Sequence, residues 1–275
     1  MTPIPVMVNG IPGKMAATVA EHVGRDERFR LLSFALTGPE ITEPSWRVGG
    51  VSVQLIRPED RETIPDRLDA GTLCVDYTHP TAVNDNARFY CANGLPFVMG
   101  TTGGDRDALT RTVAGSDTAA VIAPNMGKQI VGFGAMMEWA AETFPGLFNG
   151  YSLAIRESHQ KGKADTSGTA KAMVQSFNGL GIPFSADQIE KVRDPEAQVR
   201  DFGIPPEYLD GHGWHTYTID SPDETVRFVF THNVNGRDIY ARGTLDAVAF
   251  LSDRVREGAR GTVFSMIDVL KGGGQ

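Results

Sequence analysis

Along the first 125 residues, short apolar runs alternate with segments whose apolar positions recur every three to four residues. A short apolar run, 4–8, leads into Gly10, and 15–23 then repeats apolar side chains at helical spacing. Further strands are predicted at 30–36, 51–56, 72–77, 96–99 and 119–122, with crossover helices at 82–92 and 105–114. This alternation predicts a parallel sheet of the Rossmann type, covered on both faces, with its ligand at the carboxyl ends of the strands.

The pattern changes near Asn125. A longer helix at 129–143 precedes a strand at 151–156, a charged loop and a helix at 170–177. The stretch 179–213 is rich in Pro, Gly and charge and predicts irregular connections. Two alternating segments, 213–219 and 225–234, are joined by Ser221-Pro222-Asp223-Glu224, as in a hairpin. Segments 244–251 and 261–270 read as helices returning to the first domain, and 272–275 as a frayed end. The fold class expected is α/β. Residues 1–125 plus 236–275 would form a Rossmann-type dinucleotide-binding domain. Residues 126–235 would form an α+β substrate-binding and oligomerisation domain with a mixed or antiparallel sheet.

Charge and composition narrow the choice of partner. A net charge of −8 over 275 residues argues against coating nucleic acid. No uninterrupted apolar run approaches the ~20 residues of a membrane-spanning helix. The N-terminus lacks the regions of a signal peptide, and Cys74 and Cys91 have neither metal-ligand spacing nor a nearby histidine pair. The expectation is a cytoplasmic protein with reduced thiols and no metal.

Two segments carry chemistry. Gly10-Ile11-Pro12-Gly13-Lys14-Met15 sits where a dinucleotide turn belongs, with Gly10 for the tight turn and Gly13 for approach of a pyrophosphate. An ordinary glycine-rich turn fits the same residues. No acid stands at the end of the second strand until Glu40, so Thr37 and Lys14 are candidates for a 2′-phosphate, and NADPH is preferred over NADH. Thr78, Gly100-Thr101-Thr102 and Ala123-Pro124-Asn125-Met126, at successive strand ends, outline a ribose and nicotinamide site. In the second segment His159 can donate a proton near neutral pH. Lys163 offers a point charge, and Ser167-Gly168-Thr169 opens a helix whose free N–H groups suit a carboxylate. Arg237 either forms a bidentate pair with a second carboxylate or is an exposed loop arginine. His212 and His215 read as strand and loop residues.

Together these motifs resemble the 4-hydroxy-tetrahydrodipicolinate reductase (dihydrodipicolinate reductase) family. The matching residues are Gly10 through Met15, Gly100 through Gly103, Ala123 through Met126, Glu157-Ser158-His159-Gln160 through Lys163 to Ala170, Thr231-His232-Asn233 through Arg237, and Ala241 through Thr244. Gln160 stands where many bacterial members carry a second histidine, and Pro12 where many carry glycine. Both features look like the plant-type branch. The resemblance implies hydride delivery from NAD(P)H to a cyclic imine dicarboxylate, with His159 as general acid and Lys163 assisting it and holding a carboxylate. It implies that Gln160 and the N–H groups of Gly168 and Thr169 contact the substrate. The alternating strands of the second domain are expected to pair between subunits of a homo-oligomer, a dimer or tetramer. Two other readings fit the residues alone: another two-domain reductase of a small keto or imino acid, and a non-catalytic dinucleotide sensor.

Overall fold

Strand β1 (Ile4–Asn9) is buried from Pro5 onward and turns at Gly10 into α1 (Lys14–Arg25). This helix buries Ala16, Val19, Ala20 and Val23, the stripe that a helical period places on one face. The chain continues through β2 (Phe29–Leu31), β3 (Phe34–Leu36), β4 (Ser45–Val48), β5 (Val51–Ile56), β6 (Leu73–Asp76), α2 (Val83–Ala92), β7 (Phe97–Met99), α3 (Arg106–Ala114) and β8 (Ala120–Ile122). This computed structural model describes residues 2–272, so the expected frayed end lies, beyond Gly272, outside the described residues.

The single strand expected at 30–36 is two strands in two sheets. Leu32 N–H still donates to Val6 O at 2.9 Å, but Ser33 O accepts from Gln54 N–H at 2.8 Å, so the chain changes sheet between them. An apolar run without alternation cannot reveal such a switch, because both halves are buried. Strand β3 joins β5 and β4 in a three-stranded sheet, and β4 itself was not anticipated.

The second unit begins with α4 (Lys128–Thr143) and continues with β9 (Ser152–His159), α5 (Gly168–Gly179), β10 (Glu190–Val192), α6 (Pro195–Phe202), β11 (His212–Asp220) and β12 (Arg227–Asn235). Its sheet has the order β10-β9-β11-β12. Strand β11 is antiparallel to both β9 and β12, whereas β10 is parallel to β9. Ile155, Met173, Phe177, Tyr217 and Ile219 form its core. Burial of Phe177 alone contributes roughly 2–3 kcal/mol. The segment expected to be irregular holds β10 and α6. Its Pro, Gly and acidic residues are helix punctuation: Pro195 opens α6, Asp194 accepts from Ala197 N–H, and Gly203 closes the helix at φ 69°.

The chain then returns with α7 (Asp238–Arg256), β13 (Val263–Phe264) and α8 (Met266–Gly272). The expected helix at 261–270 therefore starts with a strand. Val263 and Phe264 pair with Ala120 and Val121, and Ser265 exchanges hydrogen bonds with Asp268 to open α8. The main sheet runs β13-β8-β7-β6-β1-β2, all parallel. The two compact units are Met1–Lys128 with Asp238–Gln275, and Gln129–Arg237.

Candidate active site

Strand order in the parallel sheet reverses between β1 and β6, which makes their carboxyl ends the crevice where open α/β sheets take a ligand. Gly10 stands there at φ 101°, and a Cβ on it would lie 2.2 Å from Tyr77 O. Only glycine fits that approach of two backbones. Gly10 N–H donates to Leu36 O and Gly13 N–H to Gly10 O, both at 2.8 Å, closing a turn that includes a cis Ile11–Pro12 peptide. Gly13 caps α1 without a side chain, leaving the first N–H groups of that helix accessible to an anion. Lys14 opens the helix and is exposed, whereas Ile11 is fully buried.

Asp76, fully buried at the end of β6, organises this edge. Its Oδ1 accepts from Thr78 Oγ1 at 2.8 Å and Thr101 Oγ1 at 2.6 Å, and its Oδ2 from Asn86 Nδ2 at 2.9 Å and Tyr90 OH at 2.7 Å. The hydroxyls of Thr78 and Thr101 thus brace the strand ends rather than stand free. Gly100 has the Tyr77 ring 2.3 Å from where a Cβ would be. Ala123 N–H donates to Met99 O, Asn125 Oδ1 accepts from Gly127 N–H, and Met126 is buried, while Thr102 and Pro124 are exposed. Thr37 does not match its expected part. It is 5% exposed, and its hydroxyl donates to Ile11 O at 2.6 Å, so it fastens the glycine turn instead of meeting a 2′-phosphate. Beside it a cavity of about 330 Å³ is lined by Gly38, Glu40, Arg61, Thr78 and His79 among others. Glycines that admit no Cβ and a cavity at the switch point fit a bound dinucleotide.

In the second unit, His159 is the last residue of β9 rather than part of a loop. Cross-strand register explains its surroundings. Glu157 faces His215, which faces His232, and His159 faces Gly213. A Cβ on Gly213 would come 3.0 Å from His159 Cε1, so the glycine makes room for the ring. His159 Nδ1 donates to His212 O at 3.0 Å, leaving Nε2 buried and without a partner among the described residues. Burial pulls the imidazole down to about 4, reinforced by His215 and opposed by Glu157. The ring therefore holds a proton less readily than the ordinary histidine expected from sequence. His232 is likewise pulled to about 4 by burial and by His215 and His159.

Glu157 is the buried anion of this unit. Burial pushes its carboxyl up, but His215, Arg193 and the Ser167 N–H together outweigh burial and hold it well below the usual carboxylate range. Oε2 accepts from Ser167 N–H at 3.0 Å and lies 4.0 Å from His159 Nε2, so one carboxylate oxygen ties the proton site to the start of α5. Ser167 caps the helix, its Oγ accepting from Ala170 N–H at 3.0 Å and meeting His215 Nε2 at 2.9 Å. The N–H groups of Gly168 and Thr169 have no acceptor among the described residues. Lys163 Nζ is paired with the exposed Asp165 at 2.9 Å, and Gln160 O accepts from Lys163 N–H. Arg237, half-buried beside Gly211, has no ion-pair partner among the described residues. Ligand atoms of Glu157, His159 and His215 lie within 4.8 Å of one another, yet Arg193 already neutralises this carboxylate, as a cation would. Asp76, Glu157, Arg193 and His215 were not assigned a role from sequence. Glu157 stands inside a quoted motif and Asp76 in the strand expected at 72–77, but nothing in the pattern around Arg193 marks it.

Models of dihydrodipicolinate reductase match the chain in two parts, the N-terminus over residues 4–126 and the C-terminus over residues 130–270. The chain is 47% identical to 4-hydroxy-tetrahydrodipicolinate reductase 1, chloroplastic, of Arabidopsis thaliana, across 98% of this chain and 78% of that one. It is 45% identical to probable 4-hydroxy-tetrahydrodipicolinate reductase 2, chloroplastic, of Oryza sativa subsp. japonica, across 98% and 83%. A dipicolinate-bound dihydrodipicolinate reductase from Paenisporosarcina sp. TG-14 shares the fold, with a TM-score of 0.68 at 18% identity over 96% of this chain and 97% of that one. The plant relatives are named as chloroplastic proteins, which overturns the cytoplasmic location expected from the N-terminus. The glycine turn at the sheet's switch point, the His159–Ser167 segment and the match across both parts agree, and the chain belongs to the dihydrodipicolinate reductase family, in its plant-type branch.

Proposed function

We propose that the chain reduces 4-hydroxy-tetrahydrodipicolinate to tetrahydrodipicolinate in the diaminopimelate route to lysine, with residues 1–125 and 236–275 holding the dinucleotide and 126–235 the dicarboxylate. Membership of the family makes it a nicotinamide-dependent oxidoreductase. The substrate loses water, gains a hydride and a proton, and NAD(P)H becomes NAD(P)+. The bound cofactor supplies the hydride. Gly10 through Met15 cradle its pyrophosphate, and the strand ends at Thr78, Gly100–Thr102 and Ala123–Met126 border the nicotinamide.

The observation that carries the reading is the arrangement around Glu157. It sets an unpartnered histidine nitrogen and an open helix N-terminus on one carboxylate oxygen. A dianion at the α5 N-terminus meets the Gly168 and Thr169 N–H groups and the helix dipole. Its charge raises the proton affinity of His159 from the value burial imposes, so the ring gains a proton at Nε2 as the substrate arrives. His159 then gives that proton to the electron-rich ring formed as hydride is added. Lys163 leaves Asp165 for a substrate carboxylate, and Gln160 and Arg237 complete the contacts. NADPH is the preferred cofactor: Lys14 at the helix start and Arg61 in the adjoining cavity supply cations, in place of Thr37. Arg61→Ala should lower NADPH efficiency more than NADH efficiency. Equal losses would remove Arg61 from this role.

A homo-oligomer formed through the second unit accounts for its exposed apolar side chains. Val229 on edge strand β12 is 55% exposed, and Met136 and Trp139 on α4 are 61% and 59% exposed. Sedimentation of Val229→Lys tests this, with dissociation expected and an unchanged mass contradicting it. The reaction itself is tested by following NADPH and NADH oxidation with freshly generated substrate. Turnover by the wild type and its near loss in His159→Gln are expected, and cofactor binding without turnover would overturn the assignment.

A further inference from the structure

We infer that Arg193 is a positioning residue for the proposed reduction, fastening the segment that carries Lys163 onto the end of strand β9. The inference rests on the reductase reading for its kinetic consequence, but not for its geometry.

Arg193 follows β10 and is 16% exposed, a side chain mostly withdrawn from water. Its guanidinium spreads over both ends of the 160–167 segment. On one side Nη2 pairs with Glu157 Oε1, and Nη1 donates to Glu157 O at 3.3 Å and to Val192 O at 3.1 Å. On the other side Nε donates to Lys163 O at 2.7 Å and Nη2 to Asp165 O at 3.3 Å. Glu157 closes the circuit by accepting from Ser167 N–H. Lys163, Asp165 and Ser167 are thereby tied to the residue two places before His159.

Ser167 is also held by His215 and Ala170, but little else holds 160–166 among the described residues. Its internal bonds are Lys163 N–H to Gln160 O at 3.0 Å and the exposed Lys163–Asp165 ion pair. Among the described residues no other side chain donates to the backbone carbonyls of Lys163 and Asp165. Gln198 of α6 braces the near end by donating to His159 O at 2.7 Å, but does not reach Lys163. The task requires a planar fork. A lysine ammonium, with three donors on one nitrogen, cannot address carbonyls on two sides of a segment while pairing with a buried carboxylate. Arg193→Lys keeps the charge that Glu157 needs and removes the span.

The expected signature separates positioning from folding. In Arg193→Lys, kcat/KM for the dicarboxylate substrate should fall about thirtyfold, within the range known for slight misplacement of a catalytic group. Dipicolinate affinity should fall as well, while NADPH affinity, read by fluorescence titration on the same protein, should stay within about twofold because the change lies in the other unit. Amide exchange should accelerate at 160–167 and remain unchanged in β11 and α5 beyond its first turn. Retention of wild-type kcat/KM in a folded Arg193→Lys protein, or unaltered exchange at 160–167, would overturn the inference. Parallel loss of NADPH and dipicolinate affinity would do the same. Should the wild type fail to turn over the substrate, the reductase reading falls, and exchange at 160–167 together with dipicolinate affinity still decides the role of Arg193.

Discussion

Acidification should destabilise this fold before its carboxylates titrate, because two half-buried imidazoles are held neutral. His159 and His232 are drawn from 6.5 to about 4 in the folded chain, chiefly by burial. Between those values the unfolded chain binds protons at both rings and the folded chain does not, so stability falls as pH falls. The contribution is unaffected above 6.5 and fully lost below 4. A displacement of this size corresponds to roughly 3 kcal/mol for each ring at the lower end of the window. Mutual repulsion among His159, His215 and His232 makes the pair non-additive. Glu157 adds to the loss at the lower end of the window, since its carboxyl, held well below the usual range, stays ionised in the folded chain while the unfolded chain protonates it. The assay is urea unfolding of the protein at half-unit steps from pH 7.5 to 4.5, followed by tryptophan fluorescence. Stability should drop with a slope approaching two protons, and with about one in His232→Gln. A flat profile from pH 7 to 5, or the same slope in both proteins, would refute the argument that burial keeps these rings neutral.

Gly10→Ala should abolish dinucleotide binding, since the new Cβ would meet Tyr77 O and the backbone is at φ 101°. A stability loss of roughly 2–4 kcal/mol should accompany it, and an unaltered cofactor titration would contradict the tight turn. Asp76→Ala should cost about 3–5 kcal/mol by leaving five donors, the Thr78 N–H among them, without their buried acceptor, whereas Asp76→Asn should cost less. Melting curves of the two variants would decide it, equal midpoints being the adverse result.

The parallel sheet was legible because short apolar runs alternate with segments of helical period, with Gly10 and Gly100 at two of the junctions. The hairpin of β11 and β12 was legible from period-two alternation, clearest in β11. What escaped was tertiary. The split of 30–36 depends on which neighbour each half pairs with, and β13 is too short for a period to register. The short helix α6 sat among residues whose turn chemistry conceals a helix until its caps are identified. At the site, His159, Lys163 and Ser167 stand within nine residues of one another in sequence, so their conjunction was visible. The carboxylate that connects them was visible too, but its role was not, because its partners Arg193 and His215 lie 36 and 58 positions away. Nor does sequence disclose that a histidine is neutral: that follows from Gly213 admitting the ring and the sheet burying it.

The most direct test of the account is oxidation of NADPH with freshly generated 4-hydroxy-tetrahydrodipicolinate by wild type, His159→Gln and Lys163→Ala, each first shown to bind NADPH normally. The account expects rapid turnover by the wild type and at least a hundredfold lower kcat in His159→Gln, about the contribution of a positioned general acid. Lys163→Ala should lose turnover and substrate affinity together. Full activity in His159→Gln would show that the proton comes from elsewhere and would contradict the account at its centre.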